Sequence, residues 1–384
     1  VRGGRVGRTH QPSESPENAP VRQPSEASGN ASAYQPSENA SAYQPSENAP
    51  VRQPSQASGN DPARQPSQAP DHAPVHRPPT TPRHAPALPA VDVAGLVRLR
   101  AHHPEAVAEA AARRPRRPLV GDSGRLMIIA ADHPARGALG AGGDGLAMAD
   151  RAGLLARLVL ALSRPGVDGV LASADVLDDL LLLGALDHKV VMGSMNRGGL
   201  QGARFELDDR FTGHRPEDLE RLGFDAGKLL LRIDYEDPGS LATLETAARA
   251  VDAMAARRLP VFVEPFISRR DPDGRLRNDL SADAVTRSLA IASGLGGSSA
   301  YTWLKVPVTE DPGRMARVME TTTLPAVLLG GDVAGSAEEQ SGAYETWRAA
   351  LRLPTVRGLV VGRSLLYPAD GDVAAAVDTA VGLL

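Results

Sequence analysis

From about residue 88 one pattern recurs along the chain: a short, continuous apolar run ending in a charged, polar or small residue, then a longer amphipathic stretch. The runs are LMIIAAD (126–132), VDGVLAS (167–173), VVMGSM (190–195), KLLLRID (228–234), PVFVEPF (260–266), YTWLKVPV (301–308), AVLLGGD (326–332) and GLVVGRS (358–364), eight in all. Between most of them lie segments such as SLATLETAARAVDAMAARRLP and SADAVTRSLAIASGLG, whose apolar residues fall at helical spacing. Asp311 before Pro312 and SAEE at 336–339 mark helix starts. Continuously apolar strands alternating with helices predict a parallel sheet covered on both faces. Eight such units predict an α/β fold of the (β/α)8 TIM barrel type. An open doubly wound sheet is the competitor, but AADHPARGALGAGGDG after the first strand holds no GxGxxG in the right place. The third unit is irregular. Its loop NRGGLQGARFELDDRFTGH precedes a short helix at PEDLERLG and is expected over the barrel mouth. The helical stretch VAGLVRLRAHHPEAVAEAAARR is expected to close the bottom.

Residues 1–87 read differently. QPSE and QPSQ units recur among Pro, Ser, Asn and Ala with almost no aliphatic side chains. Such a segment buries too little apolar surface to offset its ordering entropy, so a disordered tail is expected before a barrel at 88–384. Opening on Val1, the chain reads as a fragment or as translation from an alternative start, with the true start further downstream.

Composition narrows the function. The sequence has no cysteine, which removes disulfides and thiolate metal sites and agrees with a cytoplasmic protein. A formal net charge of −4 gives no reason to expect nucleic acid as a partner. No apolar stretch is long enough to predict a membrane span. The basic run RRPRRP at 113–118 reads as a solvated connector before it reads as an anion patch.

Positive charge is carried by 39 arginines and only three lysines, Lys189, Lys228 and Lys305. Lys305 stands mid-run in an apolar strand, where an unpaired ammonium is expensive. In a barrel, catalytic side chains sit at the C-terminal strand ends, and period-two alternation selects those facing the mouth. Trp303, Lys305 and Pro307 share one face, as do Ile128, Ala130 and Asp132; Leu230, Arg232 and Asp234; and Phe262 and Glu264. One lysine, one arginine and three acids are thus expected to converge. A neutral lysine amine adds to a carbonyl and forms an imine, with Arg232 or desolvation favouring the neutral form and the acids carrying protons, Asp132 first. The bland reading is a salt-bridge lysine at a strand end. Lys228, opening its strand, is read as structural. His133, His188 and His214 show no metal-ligand spacing, and Asp234 and Glu264 also fit simple pairing with Arg232. Gly330, Gly331, Gly362 and Arg363 end the last two strands, where barrels build phosphate sites, so a phosphorylated substrate is expected.

YTWLKVPV resembles the sixth-strand segment of class I, Schiff-base aldolases of the tagatose-bisphosphate, archaeal-type fructose-bisphosphate and deoxyribose-phosphate aldolase superfamily. AADHPARG is similar to its first-strand Asp segment, VFVEPF to its fifth-strand Glu-Pro segment, and VVGRSLLYP to its phosphate-binding Gly-Arg element. MGSMNRGGL, DDRFTGH and KLLLRIDYEDP resemble an actinobacterial, aldolase-like barrel family found alongside inositol-catabolism proteins. The resemblance implies imine formation at Lys305, proton handling by Asp132, and phosphate contacts at Gly331, Gly362 and Arg363. The family's phenol acid has no secure match, Tyr235 being a candidate, and the deoxyribose-phosphate enzymes' second lysine is missing from the seventh strand. A ketose phosphate or phosphorylated keto acid is therefore the expected substrate, handled without metal or cofactor by a homo-oligomer. Two other readings stay open. In one, Asp132, Asp234 and Glu264 hold Mg²⁺ or Mn²⁺ for an isomerase or lyase; in the other, a silent barrel binds a sugar phosphate.

Overall fold

The computed structural model describes residues 87–309, 311–331 and 336–384. The repeat tail expected over 1–87 lies, except for Ala87, outside the described residues.

Each apolar run becomes a strand because its side chains find cover on both sides of the sheet. The first half of the chain supplies β1 (Leu126–Ala131), β2 (Gly169–Ala172), β3 (Val190–Ser194) and β4 (Ala226–Ile233). The second half supplies β5 (Val261–Arg270), β6 (Leu276–Asp279), β7 (Thr302–Val306), β8 (Ala326–Leu329) and β9 (Val356–Val361). All but β6 pair in parallel, and β9 returns to β1, with Leu126 opposite Gly358 and Ile128 opposite Val360. The result is a closed eight-stranded parallel barrel, the TIM barrel that the eight runs predict. Met127, Ile129, Leu229, Leu231, Val263 and Leu304 face outward into the core beneath the helices. Ile128, Ala130, Leu171, Met192, Phe262, Val327 and Val360 fill the interior. Phe262 and Trp303 stack there with centroids 5.2 Å apart, forming a floor below the mouth.

Helices α1 (Val93–His102) and α2 (Ala106–Arg113) precede the barrel. Around it run α3 (Arg151–Ser163), α4 (Ala174–Leu182), α5 (Pro216–Arg221), α6 (Gly239–Ala256), α7 (Ala282–Ser293), α8 (Pro312–Met319) and α9 (Ala337–Ala350), with α10 (Arg363–Leu366) and α11 (Val373–Val381) ending the chain. The expected caps are present: Asp311 accepts from Gly313 N–H at the start of α8, and Ser336 accepts from Glu339 N–H at the start of α9.

Two expectations need correction, and one element was not foreseen. Helices α1 and α2 do not close the bottom; they pack on α4, where Arg100 is bound to Asp179. The bottom is spanned by the connector that follows, and the basic run leading into it is only partly solvated: Arg113 and Arg116 are exposed, but the run also makes specific pairs. Arg114, its side chain 1% exposed, bonds Lys189 O and Gly223 O and pairs with Asp225. Arg116 also pairs with Asp225, and Arg117 with Asp168. Those two aspartates in turn accept the backbone N–H of Val191 and Met127. Charge thus fastens the lower rim while Leu119 and Val120 pack against the interior from below. The unforeseen element is a hairpin above the mouth: β5 runs past the barrel and turns at Asp271–Gly274 into the antiparallel β6, which the eight apolar runs do not announce.

Candidate active site

At the C-terminal ends of the strands lies a cavity of about 320 Å³. Its floor holds Lys305 from β7, Glu264 from β5, Lys228 from β4 and Asp132 from the end of β1. Lys305 Nζ donates to Glu264 Oε1 at 2.8 Å. Lys228 Nζ lies 2.6 Å from Glu264 Oε2 and donates to Asp132 Oδ2 at 2.9 Å. Two ammoniums and two carboxylates form an unbranched chain with no net charge, all of it buried. Burying ions costs several kcal/mol each, and only such mutual pairing offsets the cost. The consequence is that each proton position is held by a neighbour.

Burial alone would raise both carboxyl pKa values. Lys228 and Lys305 overcome it, holding Glu264 down to about 2 and Asp132 well below the carboxylate range, His133 also acting on Asp132. For Lys228 burial pulls downward, yet Asp132 and Glu264 together raise its ammonium above the usual lysine value. His133 Nδ1 stands 3.8 Å from Asp132 Oδ1. Burial, opposed by Asp132 but aided by Arg363 and the lysines, lowers its pKa to about 3 and keeps the ring neutral.

Of the residues expected at the mouth, Lys305, Asp132, Glu264 and Arg232 meet around this cavity. Asp234 does not. It follows β4 in a turn, its carboxylate accepting from Glu236 N–H, and it lines a separate groove outside the barrel with Tyr235. The turn breaks the strand alternation that would have aimed Asp234 inward. Tyr235, 64% exposed, faces that groove, and no tyrosine lines the main cavity among the described residues. Arg232 reaches neither Lys305 nor Glu264 but bonds Glu206 from the loop after β3. Nor do Asp132, Asp234 and Glu264 gather as a metal set: no group of three His, Cys, Asp or Glu suited to an ion occurs among the described residues.

Lys228 is the residue that sequence reasoning missed. Its place at the opening of an apolar run reads as structural, but β4 begins two residues earlier, at Ala226, which carries Lys228 up to the cavity. The signal was present: 228 shares parity with 230 and 232, so the alternation that aims Arg232 inward aims Lys228 inward too.

Gly330, Gly331, Gly362 and Arg363 line the cavity together on the β8–β9 side. A Cβ on Gly362 would stand 2.2 Å from Ala130 O, and Gly331 has φ +65, so both backbone positions need glycine. Arg363 donates to Gly140 O at 3.4 Å. The long loop sits over the mouth as expected. Arg197 and Gln201 line the cavity, and Asn196 bridges to Leu230 through both its amide atoms. Asn278 and Leu280 from the β6 hairpin add the remaining rim. No helix among the described residues is long and apolar enough to cross a membrane.

No curated protein matches the chain. Among solved structures, Cgl0159 from Corynebacterium glutamicum (Brevibacterium flavum) is 54% identical, with a TM-score of 0.72 over 76% of this chain and 95% of that one. A Schiff-base-forming fructose-1,6-bisphosphate aldolase is 20% identical, TM-score 0.50, over 72% of this chain and 99% of its own. An archaeal fructose-1,6-bisphosphate aldolase, its catalytic lysine covalently bound to the carbinolamine intermediate, is 19% identical, TM-score 0.50, over 72% and 100%. At that distance the aldolases share the barrel fold. A family model described as Cgl0159-like matches residues 124–381, a span from just before β1 to the end of α11, and the chain belongs to that family.

Proposed function

We propose that the protein is a class I aldolase that breaks or forms a carbon–carbon bond in a phosphorylated sugar or sugar acid through an imine on Lys305. The observation that carries this reading is the contact of Lys305 Nζ with Glu264 at the floor of an open polar cavity. Lys228 is pinned between two carboxylates with its pKa raised, which makes it a poor nucleophile. Lys305 touches one carboxylate, and that carboxylate is the acceptor for its proton. As the proton leaves Lys305, Glu264 loses one of the charges that depress its pKa and becomes a better proton carrier. The neutral amine adds to the substrate carbonyl, and Glu264 returns the proton as water departs. The protonated imine then takes the electron pair of the breaking bond. To Asp132, beside Lys228 and His133, this reading assigns the proton of the substrate hydroxyl. Lys228 holds both carboxylates in place and keeps Asp132 ionised. The glycines after β8 and β9, with Arg363, provide backbone N–H groups and a cation for the phosphate.

The test is borohydride reduction with a panel of ketose and keto-acid phosphates, followed by peptide mass spectrometry. The expected product is an adduct on Lys305, absent in Lys305→Arg. An adduct on Lys228 would reassign the nucleophile, and no adduct from a folded, ligand-binding protein would remove the Schiff-base reading.

A further inference from the structure

β4 faces β9 across the closed sheet, so a substrate whose phosphate lies at the β8–β9 end extends toward the wall that carries Arg232. Arg232 is 8% exposed and bonds Glu206 Oε1; Arg136 Nη2 lies 3.4 Å from the same oxygen, and Glu206 Oε2 accepts from Gly202 N–H at 3.1 Å. Two guanidiniums therefore share one carboxylate, which leaves one positive charge over. The Nε atoms of Arg136 and Arg232 are both buried without a hydrogen-bond partner, and both side chains line the cavity. Burial, together with the neighbouring Arg136 charge, lowers the Arg232 pKa, as expected for a cation short of compensation. Arg197 also lines this wall, but it is exposed and its charge is screened by water.

An uncompensated buried charge with idle donors is costly by itself and inexpensive once an oxyanion arrives. At the β8–β9 end three glycines add backbone N–H groups to Arg363, whereas no glycine lines the cavity beside Arg136 and Arg232, so one surplus charge here matches a carboxylate better than a second, doubly charged phosphate. We propose that Arg136 and Arg232, held in place by Glu206, form a second oxyanion subsite, and that the substrate is a phosphorylated keto-sugar acid with its carboxylate at this wall. The proposal rests on the aldolase reading. In the reaction the carbonyl oxygen leaves as water when the imine forms on Lys305. The carbon–carbon bond beyond it breaks, its electron pair becomes an enamine, and the hydroxyl proton passes to a carboxylate base. The enamine stays on Lys305 with one anionic group, and the released aldehyde carries the other. Protonation of the enamine and addition of water free the first fragment and the lysine.

The experiment compares fructose 1-phosphate, fructose 1,6-bisphosphate and the keto-deoxygluconate 6-phosphates, by kcat/KM and by trapping on Lys305, in the wild type, Arg136→Gln and Arg136→Lys. The acid phosphate is expected to lead the other two by about tenfold or more. Arg136→Gln shrinks that lead mainly through KM, and Arg136→Lys, which keeps the charge but loses the fork, falls between. If a Lys305 adduct forms but the bisphosphate or the neutral-ended ketose is preferred, or if Arg136→Gln slows all three alike, the subsite is overturned and the aldolase reading stands. If nothing traps on Lys305, the aldolase reading fails and this proposal goes with it.

Discussion

Lys228 is where the protein's chemistry and its stability meet. Lys228→Met would leave Asp132 and Glu264 facing a single ammonium, and breaking a buried pair costs about 3–5 kcal/mol; urea denaturation should show that loss. The pH dependence follows from the shifts. Asp132 and Glu264 have folded pKa values below their ordinary 3.8 and 4.5, so their contribution is present above those values and is lost as pH falls through the folded ones, about 2 for Glu264. Lys228 is raised above 10.5, so its contribution is complete below 10.5 and is lost as pH rises through the folded value. Asp132, Glu264 and Lys228 by themselves give a flat stability profile across neutral pH; His133, held neutral down to about 3, adds a decline as pH falls below the ordinary histidine value of 6.5, and in Lys228→Met the acid limb should move further toward neutrality. Glu264→Gln keeps the shape but removes the proton carrier, so kcat is expected to fall about 10²–10⁴-fold, with Lys305 still open to slow trapping. At this scale the sequence was legible wherever strand alternation held. Alternation placed Lys305, Asp132, Glu264 and Arg232 at the cavity, as it would also have placed Lys228, and it failed at Asp234, one residue past β4, where a turn replaces the pleat.

The elements show a similar division. Continuous apolar runs announce the barrel strands because both of their faces are covered. The β5–β6 hairpin stands above the barrel with Arg269, Arg277 and Asn278 in its ladder, so its residues carry no apolar pattern to read. Its only trace is the Asp-Pro-Asp-Gly at the turn, a sequence that fits loops of many kinds. The meeting of β9 and β1 is a tighter constraint. In Gly362→Ala the new methyl would press on Ala130 O, 2.2 Å away, next to the backbone offered to the phosphate. Overpacking of this kind costs about 1–3 kcal/mol. The variant should therefore show both a lowered melting temperature and a raised KM, whereas a substitution that harmed only binding would leave melting alone.

Over the whole molecule, the working end and the fastened end are opposite ends of one barrel. Asp225→Asn would loosen Arg114 and Arg116 and weaken the acceptor for Val191 N–H, and about 3–5 kcal/mol of stability should go with the buried pair. Because Asp225 precedes β4 at the far end from the cavity, kcat measured well below the melting temperature should be retained. The eight-unit count made the barrel legible, since repetition survives local errors. The arginine belt was not legible, because RRPRRP has the same composition whether its charges meet water or meet Asp168 and Asp225, and those partners lie 51 to 111 residues downstream.

That belt also bears on how the protein is made. Its donors, Arg114, Arg116 and Arg117, come before β1 in the chain, and its acceptors, Asp168, Lys189, Gly223 and Asp225, all come before β4. Every part of it has therefore been synthesised once the first half-barrel has been translated. The nascent half can lock its lower rim while β5 to β9 are still being synthesised, keeping its four strands in register around an open edge. The seam between β9 and β1 is left to close last, which makes the final thirty or so residues the step on which a finished barrel waits.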